Sequence, residues 1–293
     1  MTNISFIGLG HMGNPMTKNL LKAGYRVSVY DIVPAAIEAL LPFGAIPTHS
    51  IQDAVKEADV IFTMLQTGQQ VYDTCMSSNG IFANAKKNVL YIDCSSIEIS
   101  TTRELHLISI KHHIRMLDAP VSGGVSSAEA GTLTMMVGGD ESYFAEITSI
   151  LEKLGKKIIH AGTAGNGQAA KICNNLILGI SMIAVAEGFT LAEKLGLDPK
   201  KFFEISSNAS GQCWAMTSYC PVPNIVEKVP ANNHYQPGFM ATMMLKDLGL
   251  AEAAATDVNA SLPLGTKATE LYQLFVKEGH GKVDFSGIIK MFN

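Results

Sequence analysis

The sequence predicts an α/β domain with a mainly parallel sheet, followed by an all-helical domain joined to it by a long central helix. Short apolar runs alternate with helical stretches over the first half of the chain, as in βαβ units. A glycine-rich segment at residues 162–167 then marks a joint. Beyond it the strand pattern stops, and a helical pattern covers residues 168–195. We therefore divide the chain into domains at residues 1–163 and 164–293.

Each predicted strand is a short apolar run bounded by turn residues. The predicted strands cover residues 4–9, 26–30, 60–65, 89–93, 116–118, 133–137 and 157–160. Predicted helices between them cover residues 12–23, 34–41 and 141–154, and Ser50 to Asp53 has the form of a capping box. The long helix is apolar on all sides for several turns, which is typical of a buried helix, so we place it between the two domains.

Composition limits the classes of protein and partner. The chain has 293 residues, 47% of them hydrophobic, and a net charge of −4 without a basic run, which argues against nucleic acid as a partner. The longest uncharged apolar run, residues 176–186, is shorter than the ~18–20 residues that span a bilayer. The first strand pattern begins so early that a leader peptide is not expected. We therefore expect a cytoplasmic protein without a membrane partner.

Cysteine and histidine patterns bear on metals and redox state. The five cysteines are an odd number without a CxxC spacing, which favours free thiols in a reducing compartment. The eight histidines form no HExxH or HxxxH pattern. We expect no metal site.

A glycine motif directly follows the first predicted strand and opens the first helix. Gly8-Leu9-Gly10-His11-Met12-Gly13 has the form G-x-G-x-x-G. Its first glycine permits a tight turn, the second lets the backbone approach a pyrophosphate, and the third lets helix and strand pack closely. The helix N-terminus then offers free N–H groups to phosphate. This arrangement predicts a dinucleotide-binding Rossmann domain.

Asp31 indicates which dinucleotide is bound. It ends the second predicted strand, roughly 20 residues after the motif, where a carboxylate accepts hydrogen bonds from the adenosine ribose. A carboxylate at this place repels a 2′-phosphate, so NAD is favoured over NADP. The alternative interpretation of Asp31 is a turn residue before Pro34.

Four local patterns together resemble the β-hydroxyacid dehydrogenase family. The run from Phe6 to Met16 resembles the family's cofactor signature, and Asp118-Ala-Pro-Val-Ser-Gly-Gly124 its substrate-binding motif. The run from Gly167 to Asn175 resembles its catalytic motif, and Lys246-Asp-Leu its distal cofactor motif. The resemblance extends over nearly the whole chain. It implies NAD-dependent oxidation of a small 3-hydroxy acid.

Residue chemistry gives an independent reason for the roles that this resemblance implies. Ser122, Gly123 and Gly124 follow a strand end, and a hydroxyl with backbone N–H groups can hold a carboxylate. Lys171, Asn174 and Asn175 are spaced to meet on one helix face. Lysine on an apolar helix is a candidate for a lowered pKa and for exchanging a proton with the substrate hydroxyl. Asn175 would orient the hydroxyl or the amine. The alternative interpretations are a plain turn for Ser122, Gly123 and Gly124, and a solvated surface charge for Lys171.

Other residues are assigned through the resemblance alone. It implies that Lys246 reaches the cofactor, and that Leu65, Gln66 and Ser96 border it. The family often has proline where this chain has Gln66. The alternative interpretation of Lys246 is a surface charge in a salt bridge.

The substrate is indicated by an aromatic and proline-rich stretch. Residues 210–223 and 229–239 resemble the 3-hydroxyisobutyrate dehydrogenase branch of the family, with Trp214 and Tyr219 as an apolar wall for a methyl group. Ordinary core packing is the alternative for both rings. Gln212 stands where related enzymes often have arginine. This resemblance implies oxidation of 3-hydroxyisobutyrate to methylmalonate semialdehyde, a step of valine breakdown.

Two other functions stay open at this stage. One is a tartronate semialdehyde, succinic semialdehyde or glyoxylate reductase of the same family, which Asp31 disfavours because many such enzymes prefer NADPH. The other is a non-catalytic NAD-binding protein, which the intact Ser122, Lys171 and Asn175 disfavour. The apolar content of the helical half further predicts a homo-oligomer, a dimer or a tetramer.

Overall fold

The chain folds into two compact units. The computed structural model describes residues 2–292, and the first unit ends at Lys171 while the second begins at Ile172. This division falls inside a long helix, whereas the domain boundary predicted from the sequence, after residue 163, falls in the glycine-rich joint before that helix.

The first unit is built on one nine-stranded sheet. Its strands are β1 (Asn3–Ile7), β2 (Arg26–Tyr30), β3 (Ile46–Pro47), β4 (Val60–Thr63), β5 (Leu90–Asp93), β6 (Arg115–Asp118), β7 (Val121–Ser122), β8 (Leu133–Gly139) and β9 (Gly155–Gly162).

Most of this sheet is parallel. The order is β3-β2-β1-β4-β5-β6-β8-β7, with β9 paired to β8, and every pair from β3 to β6 is parallel. Strand β8 runs antiparallel to β6 and β7 and parallel to β9. The carboxyl ends of β2, β1, β4 and β5 therefore lie side by side along one edge, which is where open α/β sheets bind ligands.

Alternating side chains of the central strands enter two different cores. Phe6 of β1 stacks on Phe62 of β4 with ring centroids 5.7 Å apart on one face of the sheet. Ile7, Ile61 and Tyr91 belong to the core on the other face. Because both faces are covered, these strands read as continuous apolar runs and not as alternating ones. All four residues of β4 are buried.

Helices of the first unit connect these strands. They are α1 (Gly13–Lys22), α2 (Pro34–Glu38), α3 (Ile51–Val55), α4 (Gly68–Met76), α5 (Ile81–Asn84), α6 (Ile99–Lys111), α7 (Gly124–Ala130) and α8 (Glu141–Leu151). The N-cap half of the capping box predicted before α3 is present: the Ser50 hydroxyl accepts the N–H of Asp53 at 3.0 Å and donates to the Asp53 carboxylate at 2.9 Å.

Helices make up the regular structure of the second unit. Helix α9 (Asn166–Lys194) starts in the first unit and continues into the second. It is followed by α10 (Pro199–Ser206), α11 (Trp214–Thr217), α12 (Ala241–Asp257) and α13 (Pro263–Phe275), with short 3₁₀ turns at Pro230–Asn233 and Phe285–Met291. The core contains large buried aromatic residues, among them Tyr272, Phe275 and Phe285.

Helix α9 is long and apolar enough to cross a membrane by length and composition alone. Its most apolar window has a mean hydropathy of 1.7, and half of that window is buried within the protein. A core helix of a soluble protein passes the same test, so this property is weak evidence for a membrane.

The predicted fold class is confirmed, with corrections in detail. Strands β1, β2, β4, β5, β6, β8 and β9 lie where the sequence predicted them, within a few residues. Helices α4, α5, α6 and α7 and the two-residue strands β3 and β7 were not predicted. Ser122 follows the end of β6, as predicted, but it lies in the short antiparallel strand β7, so the alternative interpretation as a plain turn does not hold for this residue. Two paired residues are too few to give an apolar period of their own.

Candidate active site

The glycine loop between β1 and α1 has the geometry that a dinucleotide needs. Gly8 has φ +91°, and a Cβ there would lie 2.4 Å from the carbonyl oxygen of Met64. A Cβ on Gly13 would lie 1.9 Å from the carbonyl oxygen of Gly8, so helix and strand pack too closely for any side chain. Gly10 is exposed and has no atom of another residue within 4 Å of such a Cβ, which leaves room for a ligand.

The N-terminus of α1 is left open to an anion. No side chain caps this helix, and its first turn has no acidic residue. Free N–H groups and the positive end of the helix dipole favour phosphate there. Leu9 is buried, His11 is exposed and Met12 is half-buried. These residues fit an NAD pyrophosphate, as the sequence predicted.

Asp31 is held against the glycine loop at the end of β2. Its Oδ2 accepts the backbone N–H of Leu9 at 2.6 Å, and its Oδ1 accepts the N–H of Val33 at 2.8 Å. The bond to Val33, two residues later, is what the alternative interpretation of Asp31 as a turn residue predicts. The first bond shows that the carboxylate also faces the loop, where it can meet a ribose.

The remaining predicted cofactor residues of the first unit follow β4 and β5. Leu65 and Ser96 are half-buried, and Gln66 is exposed. The N–H of Leu65 donates to the Ser95 hydroxyl at 2.9 Å. The structure therefore brings the glycine loop, Asp31 and these loops to adjacent carboxyl ends of one parallel sheet.

A buried hydrogen-bond network at the ends of β4 and β5 fixes the loops that follow these strands. Asp93, at the end of β5, accepts three hydrogen bonds on Oδ1, from the Thr63 hydroxyl at 2.7 Å and from the Ser95 hydroxyl and N–H at 2.6 and 3.1 Å. Among the described residues, its Oδ2 has no hydrogen-bond partner. Burial raises the pKa of the Asp93 carboxyl above its ordinary value, against the lowering effect of Ser95 and Thr63; neighbouring Asp118 raises it further.

The motif around Ser122 forms a sharp turn into α7. Ser122 is half-buried, and Gly123 and Gly124 have φ of +135° and +72°, which other residues adopt only with strain. A Cβ on Gly123 would also lie 2.6 Å from the Cβ of Ser127. Glycine is therefore required at residue 123 by the turn itself, whatever it binds.

The first turn of α9 is fixed to the sheet by Asp118. The Asp118 carboxylate is fully buried and accepts the N–H of Gly165 at 2.8 Å and the N–H of Gln168 at 3.0 Å. Nε2 of His106 lies 3.1 Å from its Oδ1. Lys171 is half-buried and lies about one helical turn after Gln168.

Asn175 belongs to a polar cluster of the second unit. It is 1% exposed, and its Nδ2 donates to Oδ2 of Asp247 on α12. Its Oδ1 accepts the amide of Asn174, an exposed residue, at 3.0 Å. Nζ of Lys246 lies 3.3 Å from Oδ1 of Asp247. The structure therefore joins the predicted residues Asn174, Asn175 and Lys246 through Asp247.

Trp214 and Tyr219 form an aromatic stack. Their ring centroids lie 5.0 Å apart, and Tyr219 also stacks on Phe285 at 5.3 Å. Trp214 is 50% exposed, so only Tyr219 fits the core-packing alternative. The Tyr219 hydroxyl donates to the buried carboxylate of Asp284 at 3.0 Å. Burial first, and then this carboxylate, raise the pKa of Tyr219, so the phenol stays protonated.

Sequence reasoning did not assign a role to Asp118, Gln168, Asp247 or Asp284. Asp118 and Asp247 stand inside the motifs that carry the family resemblance, and for Asp118 a carboxylate between two apolar residues was an available signal. Asp284 caps the 3₁₀ turn that begins at Phe285 through the N–H and hydroxyl of Ser286, a local signal that sequence reasoning missed. Its other partners, Tyr219, Gly238 and Phe239, lie far away in sequence. Over residues 2–292, no group of three or more His, Cys, Asp or Glu side chains is arranged to hold a metal ion.

Two family models match consecutive parts of the chain. The model described as the NAD binding domain of 6-phosphogluconate dehydrogenase matches residues 3–162. The model described as NAD-binding of NADP-dependent 3-hydroxyisobutyrate dehydrogenase matches residues 165–292.

Similar proteins match the chain over its full length. A Mycobacterium tuberculosis protein named "Probable 3-hydroxyisobutyrate dehydrogenase" is 46% identical over 289 residues, covering 99% of this chain and 97% of its own. The NAD-dependent L-serine dehydrogenase of Pseudomonas aeruginosa is 44% identical, covering 100% of this chain and 98% of its own. The solved structure of Mycobacterium tuberculosis 3-hydroxyisobutyrate dehydrogenase with L-serine matches with a TM-score of 0.95 at 45% identity, covering 100% of this chain and 99% of its own.

The fold, the glycine loop and these matches define an NAD-binding oxidoreductase that acts on CH–OH groups. The chain belongs to the β-hydroxyacid dehydrogenase family, and the predicted resemblance to 3-hydroxyisobutyrate dehydrogenases is confirmed.

Proposed function

We propose that this chain oxidises 3-hydroxyisobutyrate to methylmalonate semialdehyde with NAD, as a step of valine breakdown. The observation that carries the proposal is that this chain matches relatives named 3-hydroxyisobutyrate dehydrogenase over 99% of its length. The half-exposed ring of Trp214, stacked on Tyr219, supports it because a methyl-bearing substrate needs an apolar wall.

In the proposed mechanism Lys171 moves the proton. NAD, when bound, supplies the hydride acceptor. The neutral amine of Lys171 would take the proton from the hydroxyl oxygen while the carbon that bears the hydroxyl gives up a hydride to the acceptor, so the alcohol becomes an aldehyde. In the reverse direction the ammonium group returns the proton and stabilises the developing alkoxide.

Asn175 can present the acceptor oxygen of its amide to this reaction. Its Nδ2 donates one hydrogen bond to Asp247, which fixes the orientation of the amide and therefore the position of Oδ1. A carbonyl oxygen has two acceptor sites, and Asn174 occupies one of them. The second would accept a hydrogen bond from the substrate hydroxyl or the Lys171 ammonium, one turn earlier on the same helix. Ser122 with the N–H groups of Gly123 and Gly124 would hold the substrate carboxylate.

L-serine is the second candidate substrate. It is favoured by the relative named NAD-dependent L-serine dehydrogenase and by the solved structure whose name includes L-serine. L-serine and 3-hydroxyisobutyrate share a hydroxymethyl group and a carboxylate and differ only in an ammonium or a methyl at the carbon between them. A lost methyl contact costs only ~1–3 kcal/mol, but an ammonium placed against an apolar wall also loses hydration, so L-serine is expected to be the poorer substrate of the two.

A substrate panel tests the proposal. The formation of reduced cofactor is followed with 3-hydroxyisobutyrate, L-serine, glycerate and 4-hydroxybutyrate, each with NAD and with NADP. We expect the highest kcat/KM for 3-hydroxyisobutyrate with NAD. A higher value for L-serine selects the second candidate, and no turnover of any hydroxy acid contradicts both.

We also propose that the chain forms a homo-oligomer through its helical half. Ile177 and Leu191 of α9 are 66% and 60% exposed, and Leu195, directly after the helix, is 76% exposed. Large exposed apolar side chains in one region are typical of an association surface.

A further inference from the structure

The side chain of Gln168 connects the first turn of α9 to the loop that follows β5. Gln168 is fully buried. Its Nε2 donates to the carbonyl oxygen of Ser95 at 2.7 Å, and its Oε1 accepts the N–H of Ile97 at 3.2 Å. These two partners flank Ser96, so one amide holds the backbone on both sides of that residue. A side-chain amide can do this because it carries a donor and an acceptor side by side.

The loop after β5 is in turn hydrogen-bonded to the loop after β4. The Ser95 hydroxyl accepts the N–H of Leu65 at 2.9 Å and donates to Asp93 at 2.6 Å. Residues Leu65 and Ser96, both predicted to border the cofactor, are therefore parts of one hydrogen-bonded assembly with Gln168.

The backbone of Gln168 is fixed separately from its side chain. Its N–H donates to Oδ2 of Asp118 at 3.0 Å. The next residue back, Gly167, is packed so closely that a Cβ there would lie 2.4 Å from the carbonyl oxygen of Met136 and 2.7 Å from that of Asp118. The turn of helix that carries Gln168 therefore has little freedom to shift along the sheet. Lys171 follows three residues later, at a rise of about 4.5 Å.

We propose that Gln168 is a positioning residue that fixes the spacing between the cofactor loop at Ser96 and the proton-transferring Lys171. This inference rests on the proposed function. Hydride and proton leave adjacent atoms of one substrate, so the cofactor and the lysine must be placed relative to each other. A misplacement of ~1 Å can lower turnover by about 100-fold.

A purely structural role makes a different prediction. If Gln168 only satisfies buried backbone groups, its loss lowers the stability of the protein and leaves the turnover of each folded molecule unchanged. If it sets the spacing, the turnover of folded molecules falls and hydride transfer becomes the slow step.

The test compares Gln168→Met, Gln168→Glu and the wild type. Methionine keeps the length of the side chain and removes both hydrogen bonds, whereas glutamate keeps the acceptor for Ile97 and loses the donor for Ser95. Gln52→Met, at an exposed position on α3, is the matched control. Steady-state kinetics are corrected for the folded fraction and repeated with substrate deuterated at the carbon that bears the hydroxyl.

We expect kcat per folded molecule to fall by about 10–100-fold in Gln168→Met. The deuterium isotope effect on kcat should rise, and the Kd for NAD should stay within about 3-fold of the wild type, because Asp31 and the glycine loop are unchanged. Gln168→Glu should show at least as large a loss, because its second carboxylate oxygen would face the carbonyl oxygen of Ser95 at a buried position, and Gln52→Met should show none.

Three outcomes would overturn the inference. The first is a folded Gln168→Met variant with normal kcat and isotope effect, and the second is a loss of NAD affinity in proportion to activity. The third is that neither variant at Gln168 folds, which assigns the residue to folding alone. Absence of hydroxy-acid oxidation in the wild type would contradict the proposed function itself, and the role of Gln168 with it.

Discussion

The side-chain amide of Asn175 donates a hydrogen bond to the carboxylate of Asp247, 72 positions further along the chain. Both side chains are buried, and the other oxygen of Asp247 lies 3.3 Å from Nζ of Lys246. A residue of the predicted catalytic motif and a residue of the distal cofactor motif therefore share one carboxylate. The orientation of the Asn175 amide depends on that carboxylate being present.

The first prediction concerns this carboxylate. Asp247→Ala should lower kcat/KM by about 10–100-fold, because a hydrogen bond to a charged group is worth about 1.5–3 kcal/mol and the Asn175 amide loses its fixed orientation. Asp247→Asn keeps an acceptor of the same shape, so its loss should be smaller. Steady-state kinetics and thermal melts measure both effects. Asp257→Asn, at the exposed end of α12, is the control. Full activity of a folded Asp247→Ala variant would remove Asp247 from the site.

The second prediction concerns proton transfer by Lys171. Lys171→Ala should lower kcat by about 10²–10⁴-fold, the scale for a lost general acid–base, while NAD binding persists. Lys171→Arg should restore little activity, because a guanidinium keeps the charge but does not deprotonate at working pH. Substantial activity in the arginine variant would assign charge stabilisation to this residue in place of proton transfer. Loss of NAD binding, activity and thermal stability together would indicate a structural lysine.

The fold was predictable because its signals are local. A glycine motif after an apolar run, a carboxylate at the next strand end and a long apolar helix each occupy a short stretch of sequence. The closing strands were harder, since β7 is two residues long and has no period of its own. Antiparallel pairing of β8 with β6 depends on how the chain returns to the sheet, which hydrophobic spacing does not encode.

The sequence allowed site residues to be assigned from their chemical type, but it did not indicate their hydrogen-bond partners. Gln168 lies within the run that resembles the catalytic motif, yet its two side-chain bonds go to backbone atoms of Ser95 and Ile97, and any residue type could supply those atoms. The same holds for Asp284, which accepts the N–H groups of Gly238 and Phe239. Side-chain to backbone contacts over such distances follow from tertiary packing and leave no pattern in a single sequence.

The third prediction is a strong preference for NAD that depends on Asp31. Asp31→Ser removes the carboxylate that faces the glycine loop and keeps a short acceptor for the N–H of Val33. The ratio of kcat/KM with NAD to that with NADP should fall by about 10-fold or more, on the scale of a hydrogen bond to a charged group. Kinetics with both cofactors measure the ratio, with Asp73→Ser on α4 as an exposed control. A wild-type enzyme that uses NADP equally well would contradict the assignment of Asp31.

The fourth prediction follows from the raised pKa of Asp93. A carboxyl whose pKa is raised by folding contributes stability that is complete below its ordinary pKa of 3.8 and is lost as the pH rises through the folded-state value. Asp93→Asn cannot ionise and keeps the acceptor for Thr63 and Ser95. The free energy of unfolding of this variant, relative to the wild type, should therefore increase from about pH 4 to about pH 7, by about 1.4 kcal/mol for each unit of the shift.

Urea denaturation at both pH values measures this difference. The exposed Asp73→Asn variant serves as a control. A difference between Asp93→Asn and the wild type that stays constant with pH, or that decreases as the pH rises, would contradict the prediction.

The fifth prediction concerns association. The wild type should be a dimer or a tetramer at about micromolar concentration, and Leu191→Glu with Leu195→Glu should dissociate it, because charges do not fit a buried apolar surface. Leu107→Glu, at a 67% exposed position of α6, should leave the oligomer intact. Light scattering distinguishes the states. A monomeric wild type would refute the prediction.

The bonds from Gly165 and Gln168 to Asp118 decide where the chain can be cut. A cofactor-binding fragment that ends at residue 163 would keep Asp118 in the sheet and discard both backbone donors, so a buried carboxylate would retain only His106. Leaving a buried charge without its partners costs several kcal/mol, a large part of the stability of a small domain. A fragment meant to fold alone must therefore extend past the first turn of α9. By the same reasoning, a chimera that combines the sheet of one relative with the helices of another should exchange that turn together with the sheet.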